Sequence, residues 1–258
     1  MRGLYVRMFV SLTLLGALYA VPVAVTLRCG VPSPVVAVLA ALTVALQWFG
    51  TERLARRVAG ARFVDAEREP ELHAVLDRLC ALSGLPKPRV AVSLDPVPNA
   101  FTVGRSRRHT TLIVTSGLLR VLEPDELAAA LAHEIAHIRH RDVAVTTLAG
   151  SFAIALAWAG RGLGELFETG LPIAVAGVLI ALAQLPLRPL SRYRELAADR
   201  GAAVQLGRPA LLASMLVKVH TTPRPQTLRL PALGLVSSGP GRSMLIQRVN
   251  GLRSLARE

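Results

Sequence analysis

The chain has 258 residues, of which 52% are hydrophobic and only 4% aromatic, and its formal net charge is +13. This composition and the positive mean hydropathy argue against an ordinary soluble globule and favour a membrane protein. The charge does not indicate a nucleic-acid partner, because the arginines cluster beside apolar segments and form no basic helix with interleaved aromatic residues. Anionic lipid headgroups are the simpler partner.

Four apolar segments contain no Asp, Glu, Lys or Arg, namely residues 8–27, 35–49, 143–160 and 171–187. Each is close to the length that crosses a bilayer, so we expect about four transmembrane helices in two hairpins. For the last two segments the alternative is a pair of buried core helices. Arginines are concentrated where the chain enters and leaves each hairpin and are sparse at the tips. This distribution predicts that the ends of both hairpins face the cytoplasm.

This pattern predicts a multi-pass protein of the plasma or inner membrane. The basic residues are 28 Arg and two Lys, a bias typical of a GC-rich genome and so of a bacterial source.

The segments between and after these hairpins predict a mainly α protein with a small antiparallel β-sheet. Residues 71–83 have helical periodicity and end at Gly84, and three short β-rich stretches follow at 89–94, 100–103 and 110–115. Beyond the fourth apolar segment, helices are expected at 191–206, 209–219 and 243–255, with an irregular loop over 221–241.

The sequence His133-Glu134-Ile135-Ala136-His137 carries the clearest chemistry. A helix is expected here, since Pro124 suits a first turn and strong helix formers follow it. On a helix, two histidines four residues apart lie on one face and can share a metal ion, while Glu134 is directed at a metal-bound water. The motif therefore predicts a zinc hydrolase.

A catalytic zinc commonly has three protein ligands, so the motif leaves one to be found. The helix expected near residue 191 offers Glu195 and Asp199 four residues apart. We assign Glu195 as the third ligand and Asp199 as the carboxylate that orients a ligating histidine. The alternative is a solvated charged face.

Three stretches in this order resemble the HtpX-like membrane metallopeptidases, relatives of the zinc-dependent CAAX prenyl endopeptidases. They are residues 98–104 (PNAFTVG), 132–142 (AHEIAHIRHRD) and 191–199 (SRYRELAAD). The resemblance implies a zincin-like peptidase with one zinc ion held by His133, His137 and Glu195. It also implies Glu134 as general base and Asp199 as the supporting carboxylate, in agreement with the spacing argument.

In that family Asn99, Ala100 and Phe101 would line the substrate cleft, where an edge strand pairs with an extended peptide. The alternative is a turn asparagine before a core phenylalanine. One departure concerns catalysis: where the family has Thr-His-Pro-Pro, this chain has Ser-Ser-Gly-Pro-Gly at 237–241, so Gly239 replaces the histidine expected to steady the oxyanion. This predicts slower turnover, unless His220, Tyr193 or an arginine substitutes.

The resulting hypothesis has four parts along the chain: a transmembrane hairpin (1–52), a cytoplasmic metallopeptidase part (53–142), a second transmembrane hairpin (143–190) and a cytoplasmic part with the third ligand (191–258). We expect a zinc endopeptidase that cleaves membrane or membrane-associated, misfolded proteins at a site facing the cytoplasm. Its predicted partners are a protein or peptide substrate and the lipid bilayer. The rivals are a catalytically weak zinc-binding adaptor and, less favoured, a transporter, which would have intramembrane charges that these segments lack.

Overall fold

The computed structural model describes residues 32–143, 170–222 and 242–256, together with positions 6, 13, 165 and 168. The chain divides into two compact units, Met1–Thr51 with Val145–Tyr193 and Glu52–Ala144 with Arg194–Glu258. The second unit contains the sheet and all the residues that form the candidate site. The predicted apolar segments 8–27 and 143–160 lie almost wholly outside the described residues, whereas 35–49 and 171–187 lie within helices.

Helices dominate the described part of the chain, as expected. They are α1 (Ser33–Val58), α2 (Pro70–Ser83), α3 (Ser116–Val121), α4 (Pro124–Arg139), α5 (Leu171–Leu206), α6 (Pro209–Thr221) and α7 (Arg242–Leu255). The strands are β1 (Arg62–Phe63), β2 (Arg89–Ser93), β3 (Ala100–Ser106) and β4 (His109–Thr115). Within the described ranges, no helix combines the length and the apolar character that are needed to cross a membrane.

The sheet is mixed, which corrects the antiparallel sheet expected from the sequence. Its strand order is β1-β2-β4-β3, with β2 and β4 parallel and the other two pairs antiparallel. Strand β2 is not joined to its sheet neighbour β4 by a hairpin. Strands β3 and β4 form a hairpin, and β4 is the strand of that hairpin that pairs with β2. Alternating residues identify a strand but do not state its neighbours, so the pattern could not reveal this order.

Two apolar clusters cover the two faces of the sheet. In β4, Leu112 and Val114 face the larger cluster, which also contains α2, α4 and α6, whereas Ile113 faces a smaller cluster with Ala55 and Phe101. Six of the seven β4 residues are buried, as expected for a strand with neighbours on both sides. The sheet is thereby fixed against α4, the helix of the His-Glu motif.

Helix α4 begins where the sequence predicts, with Pro124 in its first turn. Glu123 and Glu126 form a capping box, in which each side chain accepts from the other residue's backbone N–H. Lys218 of α6 lies 2.6 Å from the Glu126 carboxylate and ties the start of α4 to a neighbouring helix. These contacts set the axial position of the His-Glu motif, which begins about two turns further along at His133.

Helix α5 is a single helix of 36 residues, although the sequence predicted an apolar segment over 171–187 and a separate helix from residue 191. Its C-terminal part approaches α4 closely at Gly201. A Cβ at this position would lie 3.3 Å from Cβ of Ala136 and 3.4 Å from Cε1 of His140. The absence of a side chain at Gly201 therefore lets α5 bring its preceding turns to the histidines of α4.

Candidate metal centre

The structure brings His133, His137 and Glu195 together, with their ligand atoms within 4.8 Å of one another. The two Nε2 atoms are 3.1 Å apart, and they lie 3.4 Å and 3.6 Å from the two carboxylate oxygens of Glu195. Helix α4 places the histidines one turn apart on one face, and α5 supplies the glutamate. The ligand atoms of the three residues that the sequence predicts as metal ligands therefore converge on one position.

His133 is fully buried and has a carboxylate on its other ring nitrogen. Its Nδ1 lies 2.9 Å from Oδ1 of Asp199, one turn after Glu195 in α5. Asp199 in turn receives two hydrogen bonds from Arg248 of α7, from Nε at 2.7 Å and from Nη2 at 2.8 Å. Nη1 of the same guanidinium lies 3.2 Å from Oε2 of Glu195.

His137 has a corresponding support from Asp142, which follows the end of α4. Its Nδ1 lies 3.1 Å from Oδ2 of Asp142. The same oxygen lies 3.3 Å from Nε of Arg194, which is buried and adjacent to Glu195 in sequence. Each histidine of the motif therefore contacts a carboxylate that is itself paired with an arginine.

The chemistry and spacing of these donors fit a zinc ion. The pKa of both Asp142 and Asp199 is lowered, so these carboxylates can only accept hydrogen bonds, and each Nδ1 must carry the proton. In the neutral imidazole this leaves both Nε2 atoms as lone-pair donors directed at the same point. Tetrahedral coordination with zinc–nitrogen bonds of about 2.0–2.1 Å separates two donors by about 3.3 Å, close to the observed spacings.

Charge in the site favours a bound cation. Burial disfavours the imidazolium form of His133, but hydrogen bonds to Asp199 and Glu195 outweigh it and raise its pKa to about 9. Burial acts against ionisation of Glu195, but the Arg248 charge and the hydrogen bond to His133 hold its pKa well below the ordinary range. An ionised carboxylate beside two converging nitrogens is a suitable donor set for a divalent metal.

Glu134 lies beside this cluster and is almost completely buried. Burial raises its pKa above that of an ordinary carboxyl group, although the neighbouring histidines act in the opposite direction. Its Oε2 accepts a hydrogen bond of 3.1 Å from Oγ1 of Thr102 in β3. A strand at the edge of the sheet therefore contacts the carboxylate that the motif assigns as general base.

The predicted substrate-binding residues Asn99, Ala100 and Phe101 lie at the start of β3, with their side chains buried. Ala100 belongs to the larger apolar cluster and Phe101 to the smaller one. The backbone of Asn99 is held by Thr115, whose Oγ1 accepts from its N–H at 2.8 Å and donates to its carbonyl at 3.0 Å. The side chains of Ala100 and Phe101 therefore belong to the core, and both backbone groups of Asn99 already have a hydrogen-bond partner.

Gly239, the position of the family's missing histidine, lies outside the described residues. His220, considered as its substitute, directs Nδ1 at the carbonyl of Leu216 in its own helix, at 2.8 Å. That contact is typical of a histidine near a helix C-terminus.

Four residues of the site were not predicted from the sequence: Thr102, Asp142, Arg194 and Arg248. Asp142 could have been found, because it lies within the quoted motif only five residues after His137. Arg194 precedes Glu195 in a second quoted motif, but nothing in the pattern distinguished it from the many other arginines. Thr102 lies within another quoted motif (98–104), but nothing in that stretch distinguished it from its neighbours. Arg248 carried no signal, since only the tertiary fold brings α7 to the site.

The chain is similar to known proteins over most of its length. Residues 66–255 match the profile described as Peptidase family M48. The chain is 43% identical over 230 residues to Protease HtpX homolog 1 of Streptomyces coelicolor, covering 84% of this chain and 76% of that protein. It is 40% identical over 230 residues to the Protease HtpX homolog of Moorella thermoacetica, covering 84% and 77%. Among solved structures, S. mikatae Ste24p aligns with 98% of this chain and 67% of its own, at a TM-score of 0.48 and 18% identity.

Proposed function

Because the chain belongs to peptidase family M48 and is a metalloendopeptidase, we propose that it cleaves membrane or membrane-associated proteins, misfolded ones among them, at a single zinc ion. The ligands of this ion are His133, His137 and Glu195. The observation that carries the proposal is the convergence of two Nε2 atoms and a carboxylate at 3.1–3.6 Å, with both Nδ1 atoms facing carboxylates.

In the proposed mechanism, Glu134 is the general base. When zinc is bound at such a site, it lowers the pKa of a water molecule and polarises the scissile carbonyl. Glu134 accepts the proton of the attacking water and later delivers it to the leaving amine. Thr102 holds the Glu134 carboxylate by its hydrogen bond. Asp199 keeps the proton of His133 on Nδ1, so that Nε2 remains available as a donor. No further cofactor is needed for hydrolysis.

We further propose that Asn99, Ala100 and Phe101 line the substrate cleft and that an extended peptide pairs with β3, which begins at Ala100. In the described part of the sheet, β3 is an edge strand, and edge strands offer backbone groups to an added strand. The Thr102–Glu134 contact supports this location, because it puts the same strand next to the base.

A location at the cytoplasmic face of a bacterial plasma or inner membrane completes the proposal. Its support is the four apolar segments without a charged residue, together with the arginines at their ends. Within 35–49, large apolar side chains of α1 are exposed to more than half of their maximum, among them Val38, Leu42 and Leu46. A lipid environment would cover such side chains.

The decisive experiment compares the purified full chain with its Glu134→Gln variant on an unfolded protein substrate, with zinc and after chelation. We expect cleavage by the unaltered chain only with zinc, and a loss of roughly 10²–10⁴-fold in the variant, since removal of a general base has this effect. Zinc content should stay at one ion per chain in both. Glu71→Gln, an exposed glutamate of α2, is the matched control and should cleave normally.

Equal cleavage by Glu134→Gln would reject the proposed base. If the unaltered chain binds zinc and the unfolded substrate but cleaves nothing, the adaptor hypothesis replaces the peptidase proposal.

A further inference from the structure

Arg248 reaches the candidate metal centre from the last described helix, more than fifty residues after Glu195. Its side chain is only 4% exposed and all three guanidinium nitrogens contact carboxylates. Nε and Nη2 form a bidentate pair with Asp199, and Nη1 lies near Glu195. One buried side chain thus bridges the proposed third ligand and the carboxylate that supports His133.

The bidentate contact determines how the Asp199 carboxylate is oriented. A planar guanidinium with two parallel hydrogen bonds leaves the carboxylate little freedom to rotate. The oxygen that accepts from Nη2 is Oδ1, the same atom that lies 2.9 Å from Nδ1 of His133. Arg248 therefore holds Asp199 in the rotamer that directs Nε2 of His133 at the metal position.

The charge of Arg248 matters as well as its shape. Glu134, Glu195 and Asp199 bring three carboxylates into a small, largely buried volume, where like charges repel strongly. An arginine stays protonated at any physiological pH, so it compensates this charge whether or not a metal is bound. A lysine would supply the charge but could not bind one carboxylate through two parallel hydrogen bonds while contacting a second.

We propose that Arg248 is a positioning residue that preorganises the zinc site, and that α7 thereby couples its own docking to metal affinity. Helix α7 packs on α6, which packs on the motif helix α4, so that its position is set by the core and not by the metal. This inference rests on the zinc site of the proposed function, but it does not require that the protein cleave any substrate.

The test is a competition titration of zinc against a chromophoric chelator, using the full chain and two variants. Arg248→Met removes both the charge and the hydrogen bonds, and we expect zinc to bind about 10–100-fold more weakly, as for other residues that orient metal ligands. Arg248→Lys keeps the charge but cannot form the two parallel hydrogen bonds with Asp199. We expect its zinc affinity to lie between those of Arg248→Met and the unaltered chain. Arg253→Met, an exposed arginine on the same helix, is the control and should bind zinc normally.

Circular dichroism of the metal-free proteins separates positioning from folding. The proposal requires that Arg248→Lys fold like the unaltered chain and still bind zinc more weakly. Zinc affinity within twofold of the unaltered chain in either folded variant would overturn it, and loss of the fold in both variants would show that Arg248 serves the core instead. A chain that binds zinc but cleaves nothing would refute the proposed peptidase activity and leave this inference standing.

Discussion

The two histidines of the motif are supported by two branches that have the same kinds of residues but different contact distances and geometry. The Asp199 branch (His133, Asp199, Arg248) has contacts of 2.7–2.9 Å and a bidentate arginine. The Asp142 branch (His137, Asp142, Arg194) has contacts of 3.1 Å and 3.3 Å through a single carboxylate oxygen. The Asp199 branch joins three helices, whereas the Asp142 branch joins two, since Asp142 lies only five residues from its histidine and Arg194 belongs to α5. Long-range packing therefore supplies the tighter control of the site.

The largest effect within this comparison is expected for Asp199→Asn. The amide cannot form the charged bidentate pair with Arg248. Its NH2 group can also donate to Nδ1 of His133, which favours the tautomer with the proton on Nε2 and removes the lone pair that would bind zinc. We expect zinc affinity to fall towards the upper end of the roughly 10–100-fold range for such supporting residues. Competition titration with a chelator measures the change. An affinity that is unaltered, in a protein that folds normally, would contradict the importance of this branch.

A smaller effect is expected for Asp142→Asn. Its contacts are longer and not bidentate, so zinc affinity should fall by about tenfold, the lower end of the same range. Asp125→Asn, a change to an exposed carboxylate of α4, controls for the altered net charge and should leave the affinity unchanged. If Asp142→Asn weakens zinc binding more than Asp199→Asn does, the ranking of the two branches is wrong.

The smallest effect is expected for Thr102→Val, which touches neither branch. The isosteric change removes the hydrogen bond to Glu134 and should lower kcat by roughly 2- to 10-fold, from a hydrogen bond worth about 0.5–1.5 kcal/mol. Zinc affinity should stay the same, and Thr102→Ser should restore kcat. Steady-state kinetics on an unfolded substrate, together with the zinc titration, checks both statements. A loss of zinc affinity would show that Thr102 supports the metal and not the base.

Much of the fold could be predicted because periodicity and helix-capping residues act locally. The helix of the His-Glu motif begins at Pro124 as expected, and β2, β3 and β4 occupy the predicted stretches to within a few residues. The sheet order was missed because strand pairing depends on which residues meet across the fold. The prediction of a separate helix from residue 191 was wrong, because the apolar segment and the charged stretch after it form one helix, although they differ in composition.

The sequence alone determined the elements of the metal chemistry. Two histidines four residues apart on a helix lie on the same face. Glu195 and Asp199, also four residues apart, lie on one face of a second helix for the same reason. Those spacings, with the quoted motifs, were enough to indicate a family of zinc peptidases. Residue spacing within one helix is dictated by the backbone, so no tertiary information was needed.

Only the tertiary structure decided how these elements meet. The close approach of α5 to α4 at Gly201, the contact of Thr102 with Glu134 and the entry of Arg248 from α7 all join residues far apart in sequence. Such contacts depend on the packing of whole helices and strands around a shared core, and no local pattern encodes them. The sequence therefore predicted which residues are the metal-binding donors, whereas only the folded structure determined their orientation and the compensation of their charge.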